Sequence, residues 1–371
     1  MSYHENLKRA IDEVIAPSAA RVDREGKFPR TGLDALAAAG ILGLTVPVTQ
    51  GGGGEGLAQA AEVVAQVARA CGSTAMILTT HYAASAVLAA SGARSVLREI
   101  AAGRHLSTLA FSEAESHGHF CAPVSTASRD GGWVRLDARK SRVTSAGQAD
   151  SYVWSSRPVA AEGAMTLWLV PSGSSGLTVP ASSNGVGLRG DASSPVSATP
   201  ARVRAGARLG ADGAGLDIAL ATALPWFLVL CAAASAGLIE AVIAATREHL
   251  VRTRLVNLDQ TLVTRPPARA GLARMRSTAD SVRALLDDAL AMPGTGRPDA
   301  QLHMSEVTAA AAKASIAVTE LAMTLCGGPA FRADLGIERR FRDALAARMM
   351  TPGTATAGHL AATTAPPPHS A

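Results

Sequence analysis

Apolar residues first recur at helical spacing. Leu33, Leu36, Ala37 and Gly40 share one face before the run Ile41-Leu42-Gly43-Leu44-Thr45-Val46-Pro47. Residues 57–70 and 73–90 carry further alanine-rich helical patterns, so helices are predicted through residues 5–105. The period then changes. Thr108-Leu109-Ala110-Phe111-Ser112, Trp133-Val134-Arg135-Leu136-Asp137, Tyr152-Val153-Trp154 and residues 166–170 are short alternating or β-rich runs, separated by turn signals such as Asp130-Gly131-Gly132. Residues 187–190 begin a polar turn region. Beyond residues 210–215, alanine-rich stretches at 217–253, 268–291 and 302–326 predict a bundle, interrupted by Arg265-Pro266-Pro267 and by residues 292–298. Segregated helices and strands make the fold α+β rather than a doubly wound nucleotide fold. The expected organisation is an N-terminal helical domain (1–106), a small β-barrel-like middle domain (107–212), a C-terminal four-helix bundle (213–356) and a disordered tail (357–371).

Composition narrows the picture. The chain has 371 residues, more than one compact core usually holds. Its 48% hydrophobic and 4% aromatic content suits close-packed helices better than an all-β protein. No apolar run is expected to reach membrane-spanning length; residues 220–230 come nearest and are read as a buried helix. Glu5, Lys8, Arg9, Asp12 and Glu13 place a solvated helix where a secretory leader would be apolar, so a cytoplasmic location is expected. Cys71, Cys121, Cys231 and Cys326 lie far apart and read as free thiols rather than disulfides or zinc ligands. The net charge of +5 permits attraction to anions. Without interleaved aromatics it does not mark a nucleic-acid surface, and a phosphate-rich ligand would suit it. The loop Gly51 to Gly54 lacks the strand-to-helix context of a phosphate cradle and is read as a connector. His81, on an alanine-rich helix, is read as a hydrogen-bonded core residue.

Two C-terminal stretches stand out: Cys326-Gly327-Gly328-Pro329-Ala330-Phe331 and Ile337-Glu338-Arg339-Arg340-Phe341-Arg342-Asp343-Ala344. Together with Phe28-Pro29, the residues 40–47 and the glycine loop, they make residues 1–356 resemble the acyl-CoA dehydrogenase family. The resemblance implies FAD, with the glycine pair and an Arg342-Asp343 turn helping to bind it across a subunit interface in a homodimer or homotetramer. It also implies an acyl thioester or related small substrate and an electron-transfer partner. Phe111-Ser112-Glu113 resembles the strand that meets the isoalloxazine edge, and Lys140-Ser141-Arg142-Val143-Thr144 the segment facing the ring. In that segment Thr144 keeps a hydroxyl and Arg142 replaces a tryptophan. Arg252 aligns with an arginine before a flavin-contacting loop, and Thr354 follows in a Gly-Thr pair.

In that family a glutamate removes the substrate's α-proton while hydride passes from the β-carbon to the flavin. Here Pro352 stands at the usual glutamate position and Thr253 at the alternative one. The candidates for a replacement are Glu240, Glu248, Glu113 and His117. Glu240 and Glu248 equally fit paired or solvated helix charges. His117 and His119 flank Gly118 and fit a polar loop, a substrate-facing acid or base, or, with Glu115, a metal; no third ligand spacing supports the metal. The leading expectation is an FAD-dependent oxidoreductase. The alternatives are a flavin-dependent monooxygenase of the same fold and a non-redox acyl-binding or rearranging protein.

Overall fold

The computed structural model describes residues 2–113, 121–180, 185–292 and 296–350. Helices come first. Helix α1 (Tyr3–Ala10) continues through a π-helical turn, Ile11–Ile15, into α2 (Ala16–Glu25). Then follow α3 (Arg30–Ala38), α4 (Leu57–Ala70), α5 (Gly72–Ala90) and α6 (Arg94–Ala101). The glycine loop is a connector, as expected. Gly53 N–H donates to Gly43 O at 3.0 Å and Gly54 N–H to Val46 O at 2.9 Å, so these donors are used within the loop. A Cβ at Gly52 would lie 2.3 Å from Val46 O, which is why glycine stands there. Helix α5 is buried on nearly every side. Its His81 is a core residue: Nε2 lies 3.0 Å from Leu42 O and Nδ1 accepts Ser107 N–H at 3.2 Å. Burial pushes its pKa down to about 4, so the ring is a neutral tie between α5 and the first strand.

Two four-stranded sheets follow. The strands are β1 (Ser107–Ala110), β2 (Thr126–Asp130), β3 (Trp133–Val143), β4 (Ser151–Ser156), β5 (Thr166–Pro171), β6 (Leu177–Thr178), β7 (Ser194–Arg204) and β8 (Arg208–Leu209). One sheet has the order β1-β4-β5-β8, with β1 and β4 parallel; the other has the order β2-β3-β7-β6. An isolated antiparallel bridge between Glu113 and Lys140 links the end of β1 to β3 and so joins the sheets. Strand β7 departs from the sequence reading, which ended its strands earlier. Pro195 and Pro200 concealed it, and both fall where the β3–β7 register shifts, between Lys140/Val143 and between Leu136/Ala138. Proline is tolerated there because a bulge needs no ladder donor.

The C-terminal part is α7 (Gly215–Ile218), a π-helical turn at Ala219–Ala223, α8 (Leu224–Arg252), a small hairpin of β9 (Arg254–Leu255) and β10 (Gln260–Thr261), α9 (Pro266–Ala291), α10 (Ala300–Cys326) and α11 (Ile337–Met350). Pro266 and Pro267 open α9, where missing N–H groups cost nothing. Helices α8 and α10 run parallel: Gln301 Nε2 donates to Leu220 O at 2.8 Å and Thr308 Oγ1 to Leu228 O at 2.9 Å. Their C-terminal ends therefore lie together. Gly237 on α8 permits a close crossing with α4, since a Cβ there would sit 2.1 Å from Ala65 O.

The sequence reading on membrane-spanning length needs correction. The helical stretches Gly215–Arg252 and Ala300–Cys326 are both long and apolar enough to span a membrane by length and composition. The first has 67% of its most apolar window buried within the fold, which accounts for its apolarity without a bilayer. One buried cluster runs from Leu7 and Val64 through Leu136 and Trp154 to Leu230 and Val318, so the three parts share a core. Cys71, Cys231 and Cys326 are buried free thiols and Cys121 is a half-buried one.

Candidate active site

The site begins where β1 ends. Phe111 packs against the cluster containing Val153 and Leu167, and Ser112 follows, half-buried. Ser112 O accepts Ser141 N–H at 2.9 Å, which brings Phe111-Ser112-Glu113 beside the Lys140-to-Thr144 segment. Glu113 and Lys140 anchor this contact, with side chains only 1% and 0% exposed. Lys140 Nζ donates to Glu113 Oε1 at 2.5 Å, Ser155 O at 2.8 Å and Ser155 Oγ at 2.9 Å. Glu113 also accepts Val124 N–H at 2.6 Å, Ser125 N–H at 3.2 Å and the Ser125 hydroxyl. Burial pushes the Glu113 pKa up, but the Lys140 charge and these donors hold it below the usual carboxylate value.

Past β3 the chain turns sharply. Thr144 is buried, with Oγ1 3.4 Å from Ser193 Oγ. Ser145 adopts φ 60°, a strained conformation for a side-chain-bearing residue. It is held because Ser145 N–H donates to Asp191 O at 2.9 Å and Ala146 N–H to Ala192 O at 3.1 Å. The side-chain oxygens of Ser145 and Ser194 are buried with no hydrogen-bond partner among the described residues. An unsatisfied buried hydroxyl costs about 1–3 kcal/mol, so two beside Thr144 mark an edge suited to a ligand with polar atoms. Neither hydroxyl was singled out from the sequence. The signal lies in their burial, and serine alone does not reveal it.

The other predicted contacts lie elsewhere. Arg142 is exposed, and no described bond draws it to the Thr144 edge. Gly327 and Gly328 are exposed after α10, at the bundle end shared with Arg252. Gly327 takes φ 60°, ψ −143°, which favours glycine, and its N–H donates to Met323 O at 3.0 Å. Arg252 Nη1 pairs with Glu248 at 2.7 Å. No described hydrogen bond or ion pair joins this group to Ser112 or Thr144. Thr253 Oγ1 donates to His249 O at 2.9 Å, closing the end of α8. Glu240 is gripped by Arg276 at 2.7 and 3.0 Å, a bidentate contact that holds its pKa below the usual value. His117, Pro352 and Thr354 lie outside the described residues.

The Arg342-Asp343 segment differs from the expected cofactor turn. It lies within α11, and both side chains are engaged within this chain. Arg342 donates to Asp23 at 2.6 and 2.9 Å, to Glu338 at 2.8 Å and to Val186 O at 3.0 Å. Buried Asp343 accepts Leu188 N–H at 2.7 Å.

The helical, β, helical order, with both four-stranded sheets confined to the middle part, defines the class as α+β. The pattern described as the N-terminal domain of acyl-CoA dehydrogenase matches residues 2–102, and that of its C-terminal domain residues 213–356. The chain is 25% identical over 354 residues to "Probable acyl-CoA dehydrogenase FadE25" of Mycobacterium tuberculosis, covering 92% of this chain and 90% of that one. It is 26% identical over 345 residues to cyclohex-1-ene-1-carbonyl-CoA dehydrogenase of Geobacter metallireducens, covering 91% and 90%. Its fold is similar to that of butyryl-CoA dehydrogenase from Megasphaera elsdenii, with a TM-score of 0.88, 20% identity and 97% of each chain covered. The chain belongs to the acyl-CoA dehydrogenase family, whose members are flavin-dependent oxidoreductases.

Proposed function

We propose that this protein is an FAD-dependent oxidoreductase acting on an acyl thioester or a related small acyl substrate. The observation that carries this reading is the buried edge of Thr144, Ser145 and Ser194, whose side-chain oxygens fit the nitrogen and oxygen atoms at the rim of an isoalloxazine. Bound there, the flavin supplies a two-electron acceptor for substrate hydride. Ser112 and Thr144 orient the ring by hydrogen bonds, and Phe111 keeps water from that side. Gly328 N–H and Arg252 serve the phosphates of a flavin held mainly by a second subunit, in a homodimer or homotetramer. Arg252 must then exchange its partner Glu248 for a phosphate. Reoxidation falls to an electron-transfer partner. We place the part boundaries at 106/107 and 212/213.

A second reading rests on the carboxylates. Glu113 is locked to Lys140, Glu240 to Arg276 and Glu248 to Arg252. Glu113 and Glu240 offer no unshared base for an α-proton, and exposed Glu248 becomes unshared only once Arg252 turns to a phosphate, whereas a monooxygenase that spends reduced flavin on oxygen needs no such base. The absorption spectrum of the purified protein decides. A flavin spectrum bleached by acyl-CoA supports the dehydrogenase. A flavin spectrum unbleached by acyl-CoA, with product hydroxylation when the chemically reduced protein meets air, supports the monooxygenase. A colourless protein that takes up no FAD overturns both and leaves a non-redox role.

A further inference from the structure

Away from that site, a cleft of about 600 Å³ opens between α1 with its π-helical turn, the C-terminal end of α4 and the first turn of α11. Lys8, Arg69, Arg339 and Arg340 line it, against one carboxylate, Asp12. Lys8 and Asp12 pair with each other. The three arginines have no carboxylate ion-pair partner among the described residues. Arg339 Nη2 donates to Ala70 O at 3.3 Å and Arg340 Nη1 to Gly336 O at 3.0 Å, both neutral acceptors. Arg339 Nε is buried with no hydrogen-bond partner among the described residues. Arg339 and Arg340 also occupy the first turn of α11, where the helix dipole disfavours cations. Burial, then the Arg339 charge, push the Arg340 pKa down to about 10. Asp343 and Asp12 offset part of this charge without pairing directly with any of the three arginines. Arginines gathered in a cleft with only neutral hydrogen-bond acceptors are relieved by an anion, and guanidinium forks match phosphate oxygens in pairs.

We propose that this cleft binds the phosphate group of a phosphorylated small molecule through Arg69, Arg339 and Arg340, at a site separate from the flavin edge. The cleft volume lies within the range of small-molecule pockets. Inorganic pyrophosphate is the probe, titrated calorimetrically into the purified protein with whatever flavin it carries, at fixed ionic strength. Saturable binding that weakens with added salt is expected. Exposed Arg69, changed to Ala, should weaken it about tenfold, equivalent to about 1.4 kcal/mol, with flavin content unchanged. Arg340→Leu removes the repelled charge, so it should raise Tm without ligand and abolish the thermal shift produced by pyrophosphate. Should that variant fail to fold, Arg69→Ala decides alone. No saturable heat in the parent protein, or equal affinity in parent and Arg69→Ala, overturns the proposal; the second result assigns the binding to another site. The flavin spectrum of the same samples reports on the catalytic reading independently.

Discussion

Replacing Lys140 with methionine tests whether the joint between the two sheets holds the active-site strand in place. Lys140 and Glu113 are fully enclosed, and each meets further polar groups besides the other. Burial lowers the Lys140 pKa to about 8 against the pull of Glu113. Lys140→Met keeps most of the stem volume but takes from the buried Glu113 carboxylate the cation paired with it, leaving the Val124 and Ser125 donors. Breaking one side of such a pair costs about 3–5 kcal/mol, and at roughly 2–4 °C per kcal/mol in a larger domain Tm should fall by about 6–20 °C. The double variant Lys140→Met, Glu113→Leu should recover part of this, because it removes the stranded charge as well. The sign of the pH effect follows from Glu113, whose folded pKa is lowered. Its contribution is present above the unfolded carboxylate pKa and disappears as pH falls through the folded value, so Glu113→Gln should flatten the acid limb of stability. Thermal unfolding of the parent, Lys140→Met, Glu113→Leu and the double variant measures the coupling. A Lys140→Met variant within about 0.5 kcal/mol of the parent, or a double variant whose loss equals the sum of the singles, would refute the reasoning.

Three further outcomes are expected. The Ser112→Ala, Thr144→Val double variant should hold FAD about 1–3 kcal/mol more weakly than the parent, as two neutral hydrogen bonds imply; unchanged retention in a flavin-release assay would show that these residues are misassigned. Burial raises the pKa of both Asp191 and Asp343 to about 6, so the native state keeps protons that the unfolded chain has released between roughly pH 4 and 6. Their contribution to stability is therefore greatest below that window and is lost as pH rises through about 6; Asp343→Asn should flatten the slope of Tm against pH there, and an unaltered slope would contradict the assignment. Gly237→Ala should destabilise by about 1–3 kcal/mol, because the new Cβ meets the α4 backbone at Ala65, while Gly132→Ala, with open space around it, should leave Tm nearly unchanged in the same melt.

Much of the fold was legible because its signals are local. The helical period marked α4, α5, α9 and α10 to within a few residues, and alternation marked β1, β3, β4 and β5. Strand β7 was not, since its prolines argue against a strand until the β3 bulges opposite them are known. The membrane-length reading underestimated two stretches, Gly215–Arg252 and Ala300–Cys326, while the reading of residues 220–230 as a buried helix agrees with the burial of that stretch. At the proposed site, Ser112 and Thr144 are candidates that motif resemblance alone could name. Ser145 and Ser194 could not be named in that way, because an unpaired buried hydroxyl is a tertiary fact. The three glutamates looked like candidate bases in sequence, and each proves to be held by a cation from another segment or turn.

The Arg342-Asp343 pair, a motif read as cofactor-binding, ties α11 to the loop of residues 186–188. Asp343 holds Leu188 N–H, and Gly187 lies so close to α11 that a Cβ would come within 2.0 Å of Arg342 O. Leu188 and Ala192 take φ 50° and 52°, a strained path that such ties can maintain. The same loop presents Asp191 O and Ala192 O to Ser145 and Ala146, and Asp191 fixes Ser193 through bonds of 2.8 and 2.9 Å. A chain of contacts thus runs from α11 through residues 187–193 to the hydroxyl edge at Thr144. The C-terminal helix therefore shapes the middle part's polar edge from within its own subunit.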